Sequence, residues 1–388
     1  MYLAATIAVV FSLVYLDIPH YIYVLNDSIP PKYFYYSAAV IIVPLLLFKF
    51  RQFLLYIVSP FSLWVFAEII IHSYDMLDAN ETAIALIIVR DEYLILALLF
   101  GFAASIARTD SYQGILQIMA IVVPVSVIID FISPGIFNPL ALQEGFYARG
   151  RAAAMFINPT RAGEAILLTC ILAIPFMRLK YRMPLLLLAG AGIIVTFSRG
   201  PILGWVSFWL FLLITRNLPK YSFVFPLAVF AVLPLSISVF KSYIQERRDL
   251  DYASDNMFAR LDFFQTKSLG DDSAQERLKL LEAGWKVFLD NPIFGAGTGV
   301  TDSQSNVWPY MVNVHNQIVL VAAEHGIFGI TLWAWLLVML WRGRYFEDTK
   351  FQVAIAVGTF FMSFFNHNMF DTLYWLMTFA LVSGRRKA

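Results

Sequence analysis

Long apolar runs constrain this chain more than any other feature of its sequence. They recur at about 2–16, 34–48, 53–71, 92–107, 114–131, 163–177, 183–197, 202–215, 221–240, 316–341, 351–366 and 372–383. A transmembrane helix needs about 20 mostly apolar residues, and hydrophobic residues make up 60% of this chain while charged residues make up only 14%. The sequence therefore predicts an all-α polytopic membrane protein with about twelve transmembrane helices. It excludes a soluble enzyme, a disordered chain and a disulfide-stapled secreted domain.

Basic residues in short loops predict the orientation of these helices, because short loops rich in Lys and Arg stay in the cytoplasm. With the N-terminus inside, the segments predicted to be cytoplasmic carry half of the 28 basic residues: Lys49, Arg51, Arg108, Arg178, Lys180, Arg182, Arg216, Lys220, Arg342, Arg344, Lys350, Arg385, Arg386 and Lys387. An even number of spans then leaves both termini in the cytoplasm.

The predicted domain organisation follows from the same runs. Residues 1–240 hold transmembrane helices one to nine, 241–314 form a long extracytoplasmic loop, and 315–388 hold helices ten to twelve. The first run lacks a basic flank and a convincing cleavage site, so we expect it to be retained. The apolar stretch Thr82–Val89 is interrupted by Arg90, which predicts an amphipathic or re-entrant piece before the fourth span.

The 241–314 loop is predicted to contain an amphipathic helix. Ser273 and Glu276 have the spacing of a capping box, and Asp290-Asn291-Pro292 is predicted to end the helix. An apolar stripe follows the cap at helical spacing: Leu278, Leu281, Trp285 and Phe288. Arg277 lies in the first turn. The sequence of the loop alone allows two interpretations of Arg277, a solvated surface arginine or a functional residue.

Polar residues at breaks between apolar runs are the first candidates for function, because ionisable groups at membrane depth are costly. The break Ser198-Arg199-Gly200-Pro201 is one, and His315-Asn316 at the start of the tenth span is another. Each also has a structural interpretation. Arg199 can be a snorkelling arginine in a tight outer turn, and His315 can be a hydrogen-bonded residue at the membrane boundary.

Glu324 lies nine residues after His315. On an α-helix that is half a turn away and roughly 13 Å deeper, so the two side chains cannot act together on one face. We expect Glu324 to anchor an interhelical hydrogen bond or ion pair. Gly326 and Gly329 do share the face of His315, and small residues there predict close packing of a neighbouring helix.

Two further sets of ionisable residues are predicted to form local pairs, because residues three or four apart are neighbours on a helix. These pairs are Arg161 with Glu164 and Glu68 with His72. The single cysteine, Cys170, excludes an intrachain disulfide and a cysteine-based zinc site. Since no histidine or acidic set has metal-ligand spacing and no glycine pattern follows a strand, we predict no metal, no cofactor and no nucleic-acid partner.

Three segments, in this order, resemble the O-antigen ligase and polymerase family of bacterial envelope glycosyltransferases. They are TFSRGPILG around Arg199, RLKLLEAGWKVFLDNPIFGAGTG from Arg277 and VHNQIVLVAAEHGIFG from His315. The third matches the family pattern H-N…E-x-G-x-x-G at His315, Asn316, Glu324, Gly326 and Gly329. The family usually has a leucine a few positions after the histidine, where this sequence has Ile318-Val319-Leu320. The motifs cover roughly residues 195–340.

The resemblance implies a GT-C-like membrane fold that takes a glycan from undecaprenyl diphosphate at the periplasmic face of the inner membrane. Ligases place the glycan on lipid A-core, and polymerases place it on another repeat unit. Arg199 and Arg277 would hold the donor diphosphate, and His315 would act at the acceptor. Supporting residues would be Asn316, Glu324, Gly326, Gly329, Arg149, Arg151 and Arg161.

A metal-independent inverting transfer suits these residues. Arginine matches phosphate oxygens with a fork that stays charged, so it can stabilise a diphosphate leaving group without a metal ion. His315 would be the general base, kept neutral by a helix N-terminus and two nearby arginines.

The sequence is compatible with three functions. The third motif favours the ligase. A polymerase of O-antigen or exopolysaccharide uses the same donor chemistry, so it is the alternative. A secondary transporter is the alternative of another class, although it should show internal repeats and polar residues on broken helices at mid-membrane, which are not evident here.

Overall fold

The computed structural model describes residues 2–26, 28–107, 110–137, 139, 151–224, 272–302, 307–310 and 312–384. These residues form α-helices and short 3-10 turns, with no strand among them. The α-helices are α1 (Tyr2–Tyr15), α2 (Ile18–Asn26), α3 (Pro31–Phe48), α4 (Phe50–Ile57), α5 (Pro60–Asp75), α6 (Glu81–Ile106), α7 (Asp110–Ile132), α8 (Pro159–Ala173), α9 (Leu179–Ile194), α10 (Arg199–Ile214), α11 (Asp272–Asp290), α12 (Gln317–Arg342), α13 (Thr349–Met362) and α14 (Leu373–Ser383).

Four stretches of helix are long and apolar enough to cross a membrane: Pro31–Phe48, Tyr112–Ile132, Pro159–Phe176 and Gln317–Arg342. Two bent helix pairs, α1 with α2 and α4 with α5, raise the number to six if each pair is one span. The protein is therefore membrane-embedded and all-helical in its described part, as predicted. The count of twelve spans is not confirmed. Apolar helices α10, α13 and α14 are shorter than a full span, and most of the predicted run 221–240 lies outside the described residues.

The structure corrects two predictions near the N-terminus. The predicted span 53–71 is two helices, α4 and α5, bent by 64° at Ser59. The Ser59 hydroxyl accepts a hydrogen bond from the Ser62 N–H, and Pro60 opens α5, a sequence that starts a helix. The predicted separate piece before the fourth span is wrong, because residues 81–106 form one continuous helix.

Cα packing divides the chain into two compact units. Unit 1 comprises Met1–Val14, Pro31–Tyr112 and Gln275–Ala388, and unit 2 comprises Tyr15–Pro30 and Gln113–Ala274. Within unit 1, α14 packs on α6, and α12 packs on α5 and α13. Within unit 2, α8 packs on α9 and α10. The ring of Trp205 on α10 occupies the space that a side chain at Gly190 on α9 would need.

Helix α11 ends at Asp290, as its sequence predicts. The side chains of its first residues, including the Ser273 cap, lie outside the described part. The predicted apolar stripe is only partly buried: Leu281 packs against a buried cluster, whereas Leu278 is 53% exposed and Trp285 is 46% exposed. The buried face carries Leu280, Gly284 and Val287 instead, and it packs in a cluster with Trp308, Val314 and Val319. Gly284 allows this face to pack closely, because a side chain at that position would lie only 2.9 Å from a methyl of Val319.

Candidate functional site

In unit 2, arginines gather at the turn before α10. Arg199 is the first residue of α10, and it follows the turn Thr196–Ser198. Arg151 donates a hydrogen bond from Nε to the Thr196 carbonyl (3.1 Å) and from Nη2 to Ser198 Oγ (2.9 Å). Thr160 Oγ1 lies 3.4 Å from the same Ser198 oxygen, and Arg161 follows Thr160. The structure thus places Arg151 against the turn that precedes Arg199. Arg161 lies in the first turn of α8, where its charge acts on Asp17 and His20. Arg149 lies outside the described residues.

Local contacts hold this arrangement in place. The carboxylate of Asp130 accepts hydrogen bonds from the Ala153 and Ala154 N–H groups at 2.9 and 2.8 Å, which fixes the backbone just after Arg151. Asn158 caps α8 by accepting from the Thr160 N–H at 2.8 Å. Two helices therefore begin beside the arginines, α8 and α10.

The chemistry of this turn suits an anion. The first N–H groups of a helix have no intrahelical partner, and the helix dipole is positive at that end. Ser198 makes no side-chain cap on α10, so the first N–H groups of that helix face the turn without a capping oxygen. The half-buried guanidinium group of Arg151, beside the uncapped N-terminus of α10, can match the oxygens of a phosphate or diphosphate.

In unit 1, His315 lies two residues before the first residue of α12. Asn316 is the N-cap of that helix, and its side-chain oxygen accepts from the Ile318 and Val319 N–H groups at 3.0 Å each. Asn316 therefore supports the site by starting the helix, rather than by orienting the imidazole with that oxygen. The imidazole of His315 contacts a second histidine instead: its Nδ1 lies 3.0 Å from Nδ1 of His367.

His367 is the functional candidate that the sequence analysis missed. It belongs to the segment between α13 and α14, which packs on the start of α12 through the buried Gln317. The Gln317 N–H donates to the Ser363 carbonyl at 2.7 Å, and its side-chain oxygen accepts from the Met369 N–H at 3.1 Å. A signal was present in the sequence, because the polar run Asn366-His367-Asn368 separates two apolar runs on the same predicted side of the membrane as His315.

The environment of His315 favours the neutral imidazole. Burial, together with the positive charge of Arg277, lowers the pKa of His315 to about 4. The sequence predicts a neutral ring, but on the basis of a helix end and two arginines. Burial is the larger cause here. Arg277 is exposed at its own position. Helix α11 brings it near His315, because Leu280 of that helix and Val314, the neighbour of His315, belong to one buried cluster.

Glu324 forms the interhelical ion pair that the sequence predicts for it. Its Oε2 accepts from Nη1 of Arg90 on α6 at 2.8 Å, and its Oε1 accepts from the Gly299 N–H at 2.7 Å. Arg90 also donates from Nε to Asp371 at 2.5 Å, and Asp302 lies 3.9 Å away. Burial and the negative charge of Glu324 raise the pKa of Asp302 to about 7.

Gly326 and Gly329 act differently from the prediction. Gly326 has a φ of +61° and breaks the regular geometry of α12. A side chain there would overlap the backbone of Pro292 and Ile293, and one at Gly329 would overlap the Val321 carbonyl of the same helix. The close neighbour of Gly326 is thus the segment after α11, not another helix. The Ile327 N–H, which the break exposes, donates to the Pro292 carbonyl at 2.9 Å.

Glu68 and His72 lie close together, as their spacing predicts, but they belong to a larger group that includes residues of other helices. His72 donates from Nδ1 to Asp91 on α6 at 2.6 Å, and both Glu68 and His72 lie beside His325 of α12. One ligand atom from each of Glu68, His72 and His325 lies within 4.8 Å of the others, so these three residues could hold a metal ion. Spacing along the chain could not reveal this group, because the two contributing helices are far apart in sequence.

Comparison with known proteins gives one match. Residues 184–334 match the family model described as O-Antigen ligase, and this range contains Arg199, Arg277 and the complete motif from His315 to Gly329. No curated protein and no solved structure matches the chain. The match supports the resemblance that the three motifs indicate: over residues 184–334, this chain is similar to the O-antigen ligase family.

Proposed function

We propose that this protein transfers a glycan from undecaprenyl diphosphate to a hydroxyl of lipid A-core, at the periplasmic face of the bacterial inner membrane. The observation that carries the proposal is His315: it lies within the family-matched segment, its environment keeps the ring neutral, and Nδ1 is engaged by His367. A neutral imidazole with one nitrogen occupied and the other available is suited to take a proton from a hydroxyl group.

Arg199 and Arg277 bind the donor diphosphate in this proposal. A diphosphate is already a good leaving group, so it needs cationic donors for its developing charge more than it needs an acid. Support comes from the turn before α10, where Arg151 lies against the residues that precede Arg199. Arg149 and Arg161 join the supporting residues on the sequence pattern alone.

His315 acts on the acceptor as general base. His315 donates its Nδ1–H to Nδ1 of His367, which leaves Nε2 of His315 with a lone pair. That lone pair takes the proton of the acceptor hydroxyl as the oxygen bonds to the anomeric carbon. The bond from that carbon to the diphosphate oxygen breaks, and undecaprenyl diphosphate leaves with the electron pair. One displacement of this kind inverts the anomeric configuration.

His367 is a positioning residue in this mechanism, because it touches His315 and not the reacting atoms. Its hydrogen bond selects the tautomer of His315 and fixes the plane of the ring, which is how a partner at the second ring nitrogen prepares a catalytic histidine. No metal ion takes part in the step, since arginine forks supply the positive charge.

A deletion strain tests the function. We expect its lipopolysaccharide to lack every glycan-capped form of lipid A-core, and we expect the wild-type gene, but not His315→Ala, to restore the ladder. A ladder in which single-repeat caps persist would identify a polymerase instead. An unchanged ladder in the deletion strain would contradict both the ligase and the polymerase assignment. A secondary transporter would then be the next hypothesis to test.

A further inference from the structure

A charge cluster lies inside unit 1, where α5, α6 and α12 pack together. Six carboxylates, one arginine and two histidines form it among the described residues: Glu68, His72, Asp75, Arg90, Asp91, Asp302, Glu324, His325 and Asp371. The carboxylates outnumber the cations even with both histidines protonated. Buried carboxylates must be paired with a cation or protonated, and a bound metal ion is one way to compensate this excess.

Three of its members present metal-binding atoms to one point. Glu68 and His72 are one helical turn apart on α5, and His325 faces them from α12. All three side chains are deeply buried, each residue being only 3% exposed. Their ligand atoms lie within 4.8 Å of one another. Ligands about 2.1 Å from a tetrahedral zinc ion are roughly 3.4 Å apart, a difference that small side-chain rotations cover.

The neighbouring contacts prepare the two histidines for a cation. His72 donates from Nδ1 to Asp91 at 2.6 Å, which leaves Nε2 as its coordinating nitrogen. A carboxylate that holds the far nitrogen of a histidine is the usual companion of a metal ligand. His325 Nδ1 is buried without a hydrogen-bond partner among the described residues, although Asp75 Oδ2 lies 3.4 Å away. Such an atom is costly to leave unsatisfied.

We propose that Glu68, His72 and His325 bind a divalent transition-metal ion, and that the donor set of two imidazoles and one carboxylate selects Zn²⁺. The ion joins α5 to α12 at the residue before Gly326, where α12 breaks its regular geometry. It therefore holds the break in place, and through it the Pro292 segment that follows α11. Its role is structural: His315 lies ten residues earlier in the chain and outside this group. The proposal stands independently of the proposed transferase function.

The test measures zinc in the purified full-length chain, free of any affinity tag, after loading with ZnSO₄ and desalting. We expect about one equivalent in the wild type and a strong loss in Glu68→Gln, His72→Gln and His325→Gln. His20→Gln is the matched control, because His20 belongs to unit 2, and it should retain the wild-type amount. Asp91→Asn should weaken zinc binding by about 10- to 100-fold while leaving the three ligands in place.

A second measurement does not require the variants to fold well. Added Zn²⁺ should raise the melting temperature of the wild type, and a chelator should reverse the rise, because a ligand that binds only the folded state stabilises it. A wild-type chain that retains no zinc and shows no such shift would overturn the proposal. So would a wild-type zinc content that persists in all three glutamine variants.

Discussion

At the scale of single residues, the proposed reaction depends on a histidine that is neutral at physiological pH. Burial and the Arg277 charge lower the pKa of His315 to about 4. The imidazole therefore stays neutral, and able to accept a proton, until the pH falls to that value. Glycan transfer should accordingly stay constant from about pH 8 down to about pH 5 and decline below it. The measurement is the initial transfer rate at saturating donor and acceptor.

The substitution His315→Ala should lower turnover by roughly 10² to 10⁴, the usual contribution of a positioned acid–base group, and leave donor affinity nearly unchanged. Arg277→Gln should move the acidic limb of the pH profile to higher pH, because removing the positive charge raises the pKa of His315. An acidic limb near the ordinary pKa of histidine in the wild type would contradict the neutral-base interpretation, as would a product of retained configuration.

The contact between His367 and His315 leads to a second prediction. His367→Ala removes a hydrogen bond worth about 1 to 1.5 kcal/mol, so we expect kcat to fall about tenfold with little change in KM. The midpoint of the acidic limb of the pH–rate profile should also shift. A purely structural role for His367 would not produce this shift. Thr331→Ala, on the exposed face of α12, serves as the control and should leave kcat and the pH profile unchanged.

The arginines are predicted to act through the geometry of the guanidinium group. Arg199→Lys and Arg277→Lys keep the charge but replace a fork by a point charge, so each should lower the transfer rate by roughly 10² to 10³ and weaken donor binding. Arg178→Lys changes an exposed arginine at the start of α9 and should have no effect. Near-wild-type turnover in both Arg199→Lys and Arg277→Lys would show that these residues serve only in packing or in setting the topology.

At the scale of single elements, the break in α12 is the most constrained feature. Its φ of +61° suits glycine, and the backbone of Pro292 and Ile293 fills the space beside it. The same break directs the Ile327 N–H to the Pro292 carbonyl, and Glu324, two residues before it, pairs with Arg90. Gly326 thus lies between the end of α11, which it contacts, and the part of α12 that carries Glu324 of the charge cluster.

Replacing this residue should destabilise the protein. Gly326→Ala forces an L-residue into a left-handed conformation and into contact with backbone atoms, at a cost of about 3 kcal/mol or more. Gly358→Ala on α13 is the matched control, because nothing lies within 4 Å of the added carbon, and alanine is the better helix former. Thermal unfolding in detergent should show a melting temperature lowered by roughly 5 °C or more for Gly326→Ala, and an unchanged or higher one for Gly358→Ala. Equal melting temperatures would contradict the importance of the break.

At the scale of the whole molecule, the distribution of basic residues predicts the topology. Reporter fusions after Lys180, Arg216 and Arg344 should read as cytoplasmic, because these residues lie in short basic loops. Fusions within residues 250–270 should read as extracytoplasmic. A cytoplasmic signal from 250–270 would place the loop on the wrong side for a periplasmic glycan carrier and would remove the proposed function.

The amino-acid pattern alone specifies the class of this protein and many of its helix ends. Hydropathy predicts an all-helical membrane protein, and local caps such as Asn316 act within three residues of their own position, so they can be recognised without a fold. The family motifs likewise identify Arg199, Arg277 and His315 as candidates. These features depend on neighbours in sequence, and that is why sequence reasoning reaches them.

Packing decides the features that join distant residues. It sets His367 against His315, Asp91 against His72 and Glu324 against Arg90, and it buries the face of α11 that carries the small Gly284 rather than the one with Trp285. The number of spans also depends on where helices bend, as α4 and α5 do at Ser59. None of these follows from periodicity, because the free energy of a buried side chain depends on which surface it meets, and only the folded chain brings those surfaces together.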